Sequence, residues 1–208
     1  MVPLTRKERD RQLREQDILR AAEHVFATQG YHQATLQDIA KEAQYATGTI
    51  YLYFKDKEML YLALLERKIQ HFTASIKEKV NQVQDINEKM KVLIHEQLAY
   101  FEENRDFFYI YFSEREGIRW TIKGKLSAST FNQFMKHRDY IASLIKRAQE
   151  KNILRKDVDA GHLALVLSSI LNGVICRLLK QEPGKREDLE SASAFVLDVF
   201  LNGAGRKR

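Results

Sequence analysis

The chain has 208 residues, 44% of them hydrophobic and 30% charged, which is the composition of a globular protein and excludes a disordered one. Its single cysteine, Cys176, excludes an intrachain disulfide and favours a reducing cytoplasm. The charged run at residues 6–11 excludes a secretory signal, and the most apolar window, residues 163–179, is too short and too polar to span a membrane.

The net charge of +6 does not by itself indicate a nucleic-acid-binding protein. Residues 1–60 hold nine basic and nine acidic side chains, so the surplus lies in the rest of the chain. An argument for DNA binding must therefore depend on where individual side chains lie. The basic residues Arg6, Arg9, Arg11 and Arg14 form either an arm that contacts phosphate or a minor groove, or a solvated helix start.

The periodicity predicts an all-α protein of about nine helices, beginning with a mobile arm at residues 1–10. Helix 1 covers residues 11–29 and ends at Gly30, which suits the positive φ that a helix C-terminus favours. Apolar residues at helical spacing then predict a second helix, which Thr35 caps through its hydroxyl. A third, short helix buries Ile50 and Phe54 and carries small or hydroxyl-bearing side chains elsewhere. This arrangement is typical of a helix-turn-helix whose second helix enters the DNA major groove.

Residues 18–65 resemble the DNA-binding domain of the tetracycline-repressor (TetR) family. The resemblance depends on many separate positions that agree in order and spacing, namely Gly30–Tyr31, Thr35–Leu36, Asp38–Ile39–Ala40, Gly48–Thr49–Ile50–Tyr51, Tyr53–Phe54, Lys57–Glu58 and Leu60. It implies an all-helical homodimer that binds a pseudo-palindromic operator and releases it on binding a small molecule. Three positions depart from the family, because Gln44 replaces a glycine, Tyr45 a small apolar residue and Ala46 a capping serine.

The resemblance and the chemistry of the side chains together predict the DNA contacts. Hydroxyl groups, lysine and helix N-termini suit phosphates, and glutamine suits adenine. The predicted DNA-binding residues are Thr35, Gln37, Thr47, Gly48, Thr49, Tyr51, Tyr53 and Lys57.

The domain organisation is predicted as a DNA-binding domain at residues 1–56, a linking helix 4 at residues 57–84 and a larger helical domain at residues 85–208. Helix 4 ends near residue 79, helix 5 near 104 and helix 6 near 117. Helix 7 covers residues 123–151, helix 8 follows a cap at Asp157 or Asp159, and helix 9 covers residues 186–201. A basic, glycine-containing tail at residues 203–208 is expected to fray.

Aromatic residues of helices 5 to 7 either line an effector cavity or fill the core. The effector is expected to be apolar or aromatic, and an acyl chain is an alternative. The candidate ligand-binding residues are Phe101, Phe108, Tyr109, Phe112, Arg115, Trp120, Phe131 and Phe134.

Helices 8 and 9 are predicted to form a four-helix dimer interface, the alternative being burial within one subunit. A stripe of small residues permits close approach of helices, and the aromatic and aliphatic residues add apolar area. The predicted interface residues are Ala164, Ser168, Asn172, Phe195, Val199 and Phe200.

Patterns typical of catalysis, metal binding or a bound cofactor are absent from the sequence. His95–Glu96 begins like a zinc-protease motif, but Ala99 stands where the second histidine is needed. The sequence therefore predicts a cytoplasmic, DNA-binding repressor that is neither an enzyme nor a membrane protein. The alternative is a helical ligand-binding or adaptor protein whose helix-turn-helix does not read DNA.

Overall fold

The computed structural model describes residues 5–117, 128–182 and 187–204, and these residues form nine α-helices. The predicted all-α fold is confirmed. The helices are α1 (Arg6–Gln29), α2 (Leu36–Glu42), α3 (Thr47–Tyr51), α4 (Lys57–Gln82), α5 (Ile86–Glu103), α6 (Arg105–Gly117), α7 (Ala128–Glu150), α8 (Ala160–Leu179) and α9 (Leu189–Ala204).

The predicted mobile arm is wrong for residues 6–10, because α1 already begins at Arg6. Thr5 caps the helix through a capping box, in which its hydroxyl accepts from the Glu8 backbone N–H and the Glu8 carboxylate accepts from Thr5. Two of the four free N–H groups of the first turn are satisfied in this way, which is why the charged segment is helical. At the other end Gly30 has φ +78° and donates to the Phe26 carbonyl, as predicted.

The remaining boundaries differ from the predicted ones by a few residues. Helix α4 continues to Gln82, and Asp159 rather than Asp157 caps α8, accepting from the backbone N–H groups of Gly161 and His162. Helix α9 begins at Leu189 and includes Gly203, which was expected to fray. The predicted start of helix 7 at residues 123–127 lies outside the described residues.

The chain divides into two compact units. The first lies within Met1–Lys68 and Asp106–Ser127, and the second within Ile69–Arg105 and Ala128–Arg208. In the first unit α1 packs on α2 and α2 on α3. Phe26, Tyr31 and Tyr61 form an aromatic cluster there, with ring centroids 4.9 to 5.8 Å apart. The predicted division by role into residues 1–56, 57–84 and 85–208 stays a prediction.

In the second unit α5 packs on α7, α8 and α9, and α8 packs on both α7 and α9. Helix α8 has 20 residues, and an 18-residue window within it has a mean hydropathy of 1.7, so length and composition alone would let it cross a membrane. The expectation that this window is too short is therefore wrong. The same values occur in core helices of globular proteins, and α8 buries one face, which comprises Leu163, Ala164, Leu167, Leu171, Val174, Ile175 and Leu178.

Candidate nucleic-acid interface

Helix α2 is fixed by its N-terminal cap, as the sequence predicted. The Thr35 hydroxyl accepts from the Asp38 N–H at 3.1 Å and donates to the Asp38 carboxylate at 2.6 Å. The Thr35 N–H donates to the same carboxylate at 3.0 Å, so the capping box is complete. These hydrogen bonds lower the pKa of the Asp38 carboxyl below its ordinary value. Gln37, in the first turn, is exposed.

The turn after α2 is a Schellman motif with Gln44 in the left-handed region, at φ 58°. The Gln44 N–H donates to the Lys41 carbonyl at 3.1 Å and the Tyr45 N–H to the Ala40 carbonyl at 2.9 Å. A glycine adopts this conformation at little steric cost, which explains physically why the family places glycine there. The departure at Gln44 therefore keeps the turn geometry at the expense of local strain.

Tyr45 fastens this turn to α1. Its hydroxyl donates to Asp17 across 3.2 Å, between residues far apart in sequence. Desolvation and this hydrogen bond raise the pKa of the Tyr45 phenol above its ordinary value. The second departure from the family thus supplies a contact that a small apolar residue does not make.

Helix α3 turns one face inwards and the other outwards. Ile50 is fully buried and Phe54, just beyond the helix, is 6% exposed. Gly48 is exposed and Tyr51 is 57% exposed, whereas Thr47, Thr49 and Tyr53 are half-buried. Ala46 caps the helix without a side-chain hydrogen bond, which is the third departure. The outward face is the polar, small-residue surface that the sequence predicted.

Lys57 has a structural role that the sequence did not predict. Its ammonium group donates to the carbonyl oxygens of Tyr31 at 2.7 Å, His32 at 3.0 Å and Ala34 at 2.8 Å. An ammonium group has three N–H donors, so these bonds use all of them. The side chain therefore holds the loop between α1 and α2, and the predicted contact of Lys57 with DNA phosphate stays a prediction.

Two further residues lie beside the predicted interface. Arg11 on α1 places its guanidinium 6.0 Å from the Tyr53 ring centroid. One of the four basic residues of the predicted arm therefore lies beside a predicted DNA-binding residue, and it does so as part of a helix. Leu52 directly follows α3 and is 78% exposed, the most exposed large apolar side chain among those described. Sequence reasoning missed Leu52, although a leucine between two tyrosines of a polar helix was a usable signal.

The candidate ligand-binding residues are divided between the two compact units, and their role stays a prediction. Phe101 is fully buried in the second unit, and Phe134 of that unit is half-buried. In the first unit Phe108 is 8% exposed and stacks on Phe112, with ring centroids 6.4 Å apart, whereas Tyr109 is 52% exposed. The side chains of Arg115, Trp120 and Phe131 lie outside the described residues.

The candidate dimer interface separates into core and surface residues. Ala164 is fully buried and Phe200 is 1% exposed, so both belong to the core of their own chain and their assignment to the interface is wrong. Asn172 is exposed, Phe195 is 49% exposed and Val199 40%. Ser168 is half-buried, and its hydroxyl donates to the Ala164 carbonyl at 2.8 Å. Two exposed α8 residues that the sequence missed, Leu165 and Val166, extend the apolar surface.

Comparisons with known proteins agree with this geometry. Residues 18–64 match the family model for bacterial regulatory proteins of the tetR family. The chain is 22% identical over 191 residues to the fatty acid metabolism regulator protein of Bacillus subtilis strain 168. The matched segment covers 91% of this chain and 95% of that protein.

Solved structures of similar chains share the fold. The fatty acid degradation regulator FadR from Bacillus halodurans has a TM-score of 0.80 and 24% identity, covering 93% of this chain and 97% of that one. FadR from Bacillus subtilis, in complex with stearoyl-CoA, has a TM-score of 0.78 and 21% identity, covering 90% and 98%.

The capped α2, the tight turn and the outward polar face of α3 define a helix-turn-helix DNA-binding protein. Residues 18–64 form a DNA-binding domain of the tetR family of bacterial regulatory proteins, and the chain is a transcriptional regulator that is similar over most of its length to the Bacillus subtilis regulator.

Proposed function

We propose that the protein is a homodimeric repressor that binds a pseudo-palindromic operator and is released by an effector carrying a long acyl chain. The observation that carries the DNA-binding part is the two-faced α3. Ile50 is fully buried and anchors the helix, whereas the next residue, Tyr51, is 57% exposed. Small and hydroxyl-bearing side chains around Tyr51 allow close approach to bases and phosphates in a major groove.

The proposed contact set follows exposure and chemistry. Thr35 lies at the start of α2, where a helix N-terminus attracts anions, and its hydroxyl contacts phosphate by exchanging Asp38 for a phosphate oxygen. Leu52 suits the methyl group of thymine, and Arg11 suits a phosphate beside the groove. Lys57 is left out, since its ammonium is bonded within the protein. The full proposed set is Arg11, Thr35, Gln37, Thr47, Gly48, Thr49, Tyr51, Leu52 and Tyr53.

The effector class is supported by the similar proteins and by the aromatic content of the chain. The similar Bacillus subtilis protein is named for fatty acid metabolism, and a similar solved chain holds stearoyl-CoA. Release requires that the effector bind the DNA-incompetent conformation more tightly than the DNA-bound one. We expect a fatty-acyl thioester to meet that requirement.

Dimerisation is supported by the exposed apolar surface of α8 and α9. Leu165, Val166, Phe195 and Val199 are each between 40% and 52% exposed, and the first two lie on α8 and the others on α9. Exposed apolar side chains grouped on two helices mark an interaction surface. A two-fold axis through such a surface also matches the symmetry of a palindromic operator.

The DNA-binding proposal is tested by selecting duplexes from a random-sequence pool with the full-length protein and measuring affinity by fluorescence anisotropy. Replacing Gln37 and Tyr51 together with alanine removes two exposed side chains, so we expect affinity for the selected duplex to fall at least about tenfold at unchanged stability. His95→Ala, an exposed change on α5, is the matched control and leaves affinity unchanged.

The adaptor alternative is favoured by the charge balance of residues 1–60 and by the engagement of Lys57. It predicts that the selection enriches no sequence and that the double variant binds duplex as the wild type does. Either result would remove DNA reading from the proposed function and leave a ligand-binding protein.

A further inference from the structure

A buried polar cluster lies in the second unit, where α4, α5 and α7 contribute Phe72, Gln97 and His137. Gln97 is 6% exposed, and its side chain carbonyl lies 3.2 Å from Nε2 of His137. The Phe72 ring lies 4.8 Å from the His137 ring and 5.1 Å from the ring of Tyr100, so it covers the imidazole from α4. The cluster is therefore a polar pair, Gln97 and His137, that the Phe72 ring covers on one side.

The hydrogen bonds fix which atoms can accept a ligand. The Gln97 amide nitrogen donates to the Leu93 carbonyl at 3.2 Å, which leaves its oxygen to accept from His137 Nε2–H. Nδ1 of the neutral ring then carries a lone pair and no proton. Among the described residues Nδ1 has no hydrogen-bond partner, although it is buried.

A second buried polar atom lies on the same face of α4. The Thr73 hydroxyl has no partner among the described residues. Thr73 and Phe72 lie three and four positions from the buried Ile69 and Ile76, so all four share the inward side of the helix. Buried polar atoms in folded proteins are nearly always paired, and each exception calls for an explanation.

A purely structural histidine does not explain this arrangement. An asparagine or a tryptophan at position 137 would also donate a hydrogen bond to Gln97. Compared with these residues, histidine adds only the free-energy cost of removing the unpaired Nδ1 from water. That cost disappears when a donor reaches the atom. The unpaired acceptor is therefore explained if the interior opens to a molecule that brings an N–H or O–H group.

We propose that Nδ1 of His137 accepts a hydrogen bond from an uncharged N–H or O–H group of the effector, with Thr73 as a second polar contact. This inference rests on the proposed effector site and specifies its chemistry. An apolar chain with an amide or hydroxyl fits, and the pantetheine arm of an acyl-CoA offers both. A carboxylate has only acceptor oxygens, so it opposes the lone pair of Nδ1.

The test uses full-length protein and four probes with the same twelve-carbon chain. Dodecanamide supplies an N–H donor, methyl dodecanoate supplies none, dodecanoate at pH 8 is an anion, and dodecanoyl-CoA carries donors beyond the thioester. Calorimetric titration is expected to show dodecanamide binding at least about tenfold more tightly than methyl dodecanoate. In His137→Phe, which keeps a ring beside Phe72, that preference is expected to vanish.

Two measurements separate binding from folding. The 15N resonance of His137 Nδ1 in the wild type is expected to move upfield with dodecanamide and to stay in place with methyl dodecanoate. His137→Phe is expected to melt close to the wild type, because it removes the unpaired Nδ1 but leaves the Gln97 carbonyl without its donor. His95→Phe, at an exposed histidine of α5, is the control and keeps the probe preference.

The outcomes distinguish this inference from the proposed function. If dodecanoyl-CoA releases the operator equally well from the wild type and from His137→Phe, the proposed function stands and the role of His137 is overturned. If dodecanamide binds through His137 and no acyl-CoA releases the operator, the inference stands and the proposed effector fails. Equal binding of amide and ester, or binding of no probe, overturns the inference.

Discussion

The ammonium of Lys57 donates to the Tyr31 carbonyl at 2.7 Å and lies 4.7 Å from the centre of the Tyr31 ring. One side chain of α4 thus closes the loop that joins α1 to α2, and the cation also faces an aromatic surface. That loop leads to Thr35, the cap of α2. By holding the loop, Lys57 fixes the start of the helix-turn-helix. We therefore expect its contribution to DNA binding to be indirect.

Replacing Lys57 with methionine keeps the apolar stem and removes the three donors. We expect the free energy of unfolding to fall by about 2 kcal/mol, since hydrogen bonds from a charged group are the stronger ones. Urea denaturation measures this loss. Lys55→Met, which removes the same charge from an exposed neighbour, is expected to leave stability unchanged.

The same variant distinguishes the structural role from a phosphate contact. A protein that loses one phosphate contact loses about 0.9 from the slope of log affinity against log salt concentration. For Lys57→Met we expect the slope to be unchanged even though affinity falls. A shallower slope at full stability would return Lys57 to the set of phosphate ligands.

The elements of the helix-turn-helix were predictable because local chemistry determines them. Thr35 and Asp38 form a capping box at a spacing that can be read directly, and Gly30 ends α1 where φ becomes positive. The structural role of Lys57 was missed because its partners are backbone carbonyls more than 20 residues away in sequence. Side-chain identity shows that a lysine can bind an anion, but not that its donors are already used.

Gln44 is expected to be a site where stability can be raised. At φ 58° a residue with a Cβ is strained by roughly 1–2 kcal/mol, and glycine removes this strain. Glycine also has more conformational freedom in the unfolded chain, which offsets about 0.5–1 kcal/mol of the gain. Gln44→Gly is therefore expected to raise the free energy of unfolding by about 0.5–1 kcal/mol, measured by thermal or urea denaturation.

Asn152 provides the comparison for Gln44. It has φ 57° at the end of α7, in the same type of turn, with Ile153 donating to the Ala148 carbonyl at 2.9 Å. Asparagine tolerates this conformation better than glutamine, so Asn152→Gly is expected to gain less than Gln44→Gly. A loss of stability in Gln44→Gly would show that the glutamine side chain makes a contact that outweighs the backbone strain.

The buried histidine predicts a dependence of stability on pH. Burial lowers the pKa of His137 from its ordinary value of 6.5 to about 4. The unfolded chain therefore takes up a proton on His137 at a higher pH than the folded chain does. The contribution of neutral His137 to the free energy of unfolding is complete above pH 6.5 and is lost as the pH falls towards 4. Between pH 7.5 and pH 5 we expect about 2 kcal/mol to be lost from this group.

His137→Phe isolates that contribution, because every other titrating group stays in place. The free energy of unfolding of the wild type is expected to fall by about 2 kcal/mol more than that of the variant over this pH range. Parallel curves for the two proteins would mean that His137 titrates in the folded state as it does in the unfolded chain.

The body of the protein was less predictable than its reading head. Ala164 and Phe200 were placed at a dimer interface because small and aromatic residues suit one, yet both are core residues of a single chain. Helices α8 and α9 are apolar on more than one side, so periodicity alone does not say which side meets its own chain. The exposures of Leu165 and Phe195 make that distinction.

The exposed side of α8 and α9 predicts how a single charge affects assembly. Phe195 is 49% exposed, and Val199 lies one turn further along α9. Phe195→Asp places a carboxylate where a partner would bury it, which costs several kcal/mol when it has no counter-charge. We therefore expect the variant to be monomeric at concentrations at which the wild type is dimeric, as measured by analytical ultracentrifugation. Leu13→Asp, at a leucine of α1 that is 57% exposed, is the control and is expected to remain dimeric.

Because a palindromic operator engages two reading heads at once, the Phe195→Asp monomer is expected to lose most of its affinity for the full operator while keeping its affinity for a half-site. A Phe195→Asp protein that sediments as a dimer would place the interface on another surface.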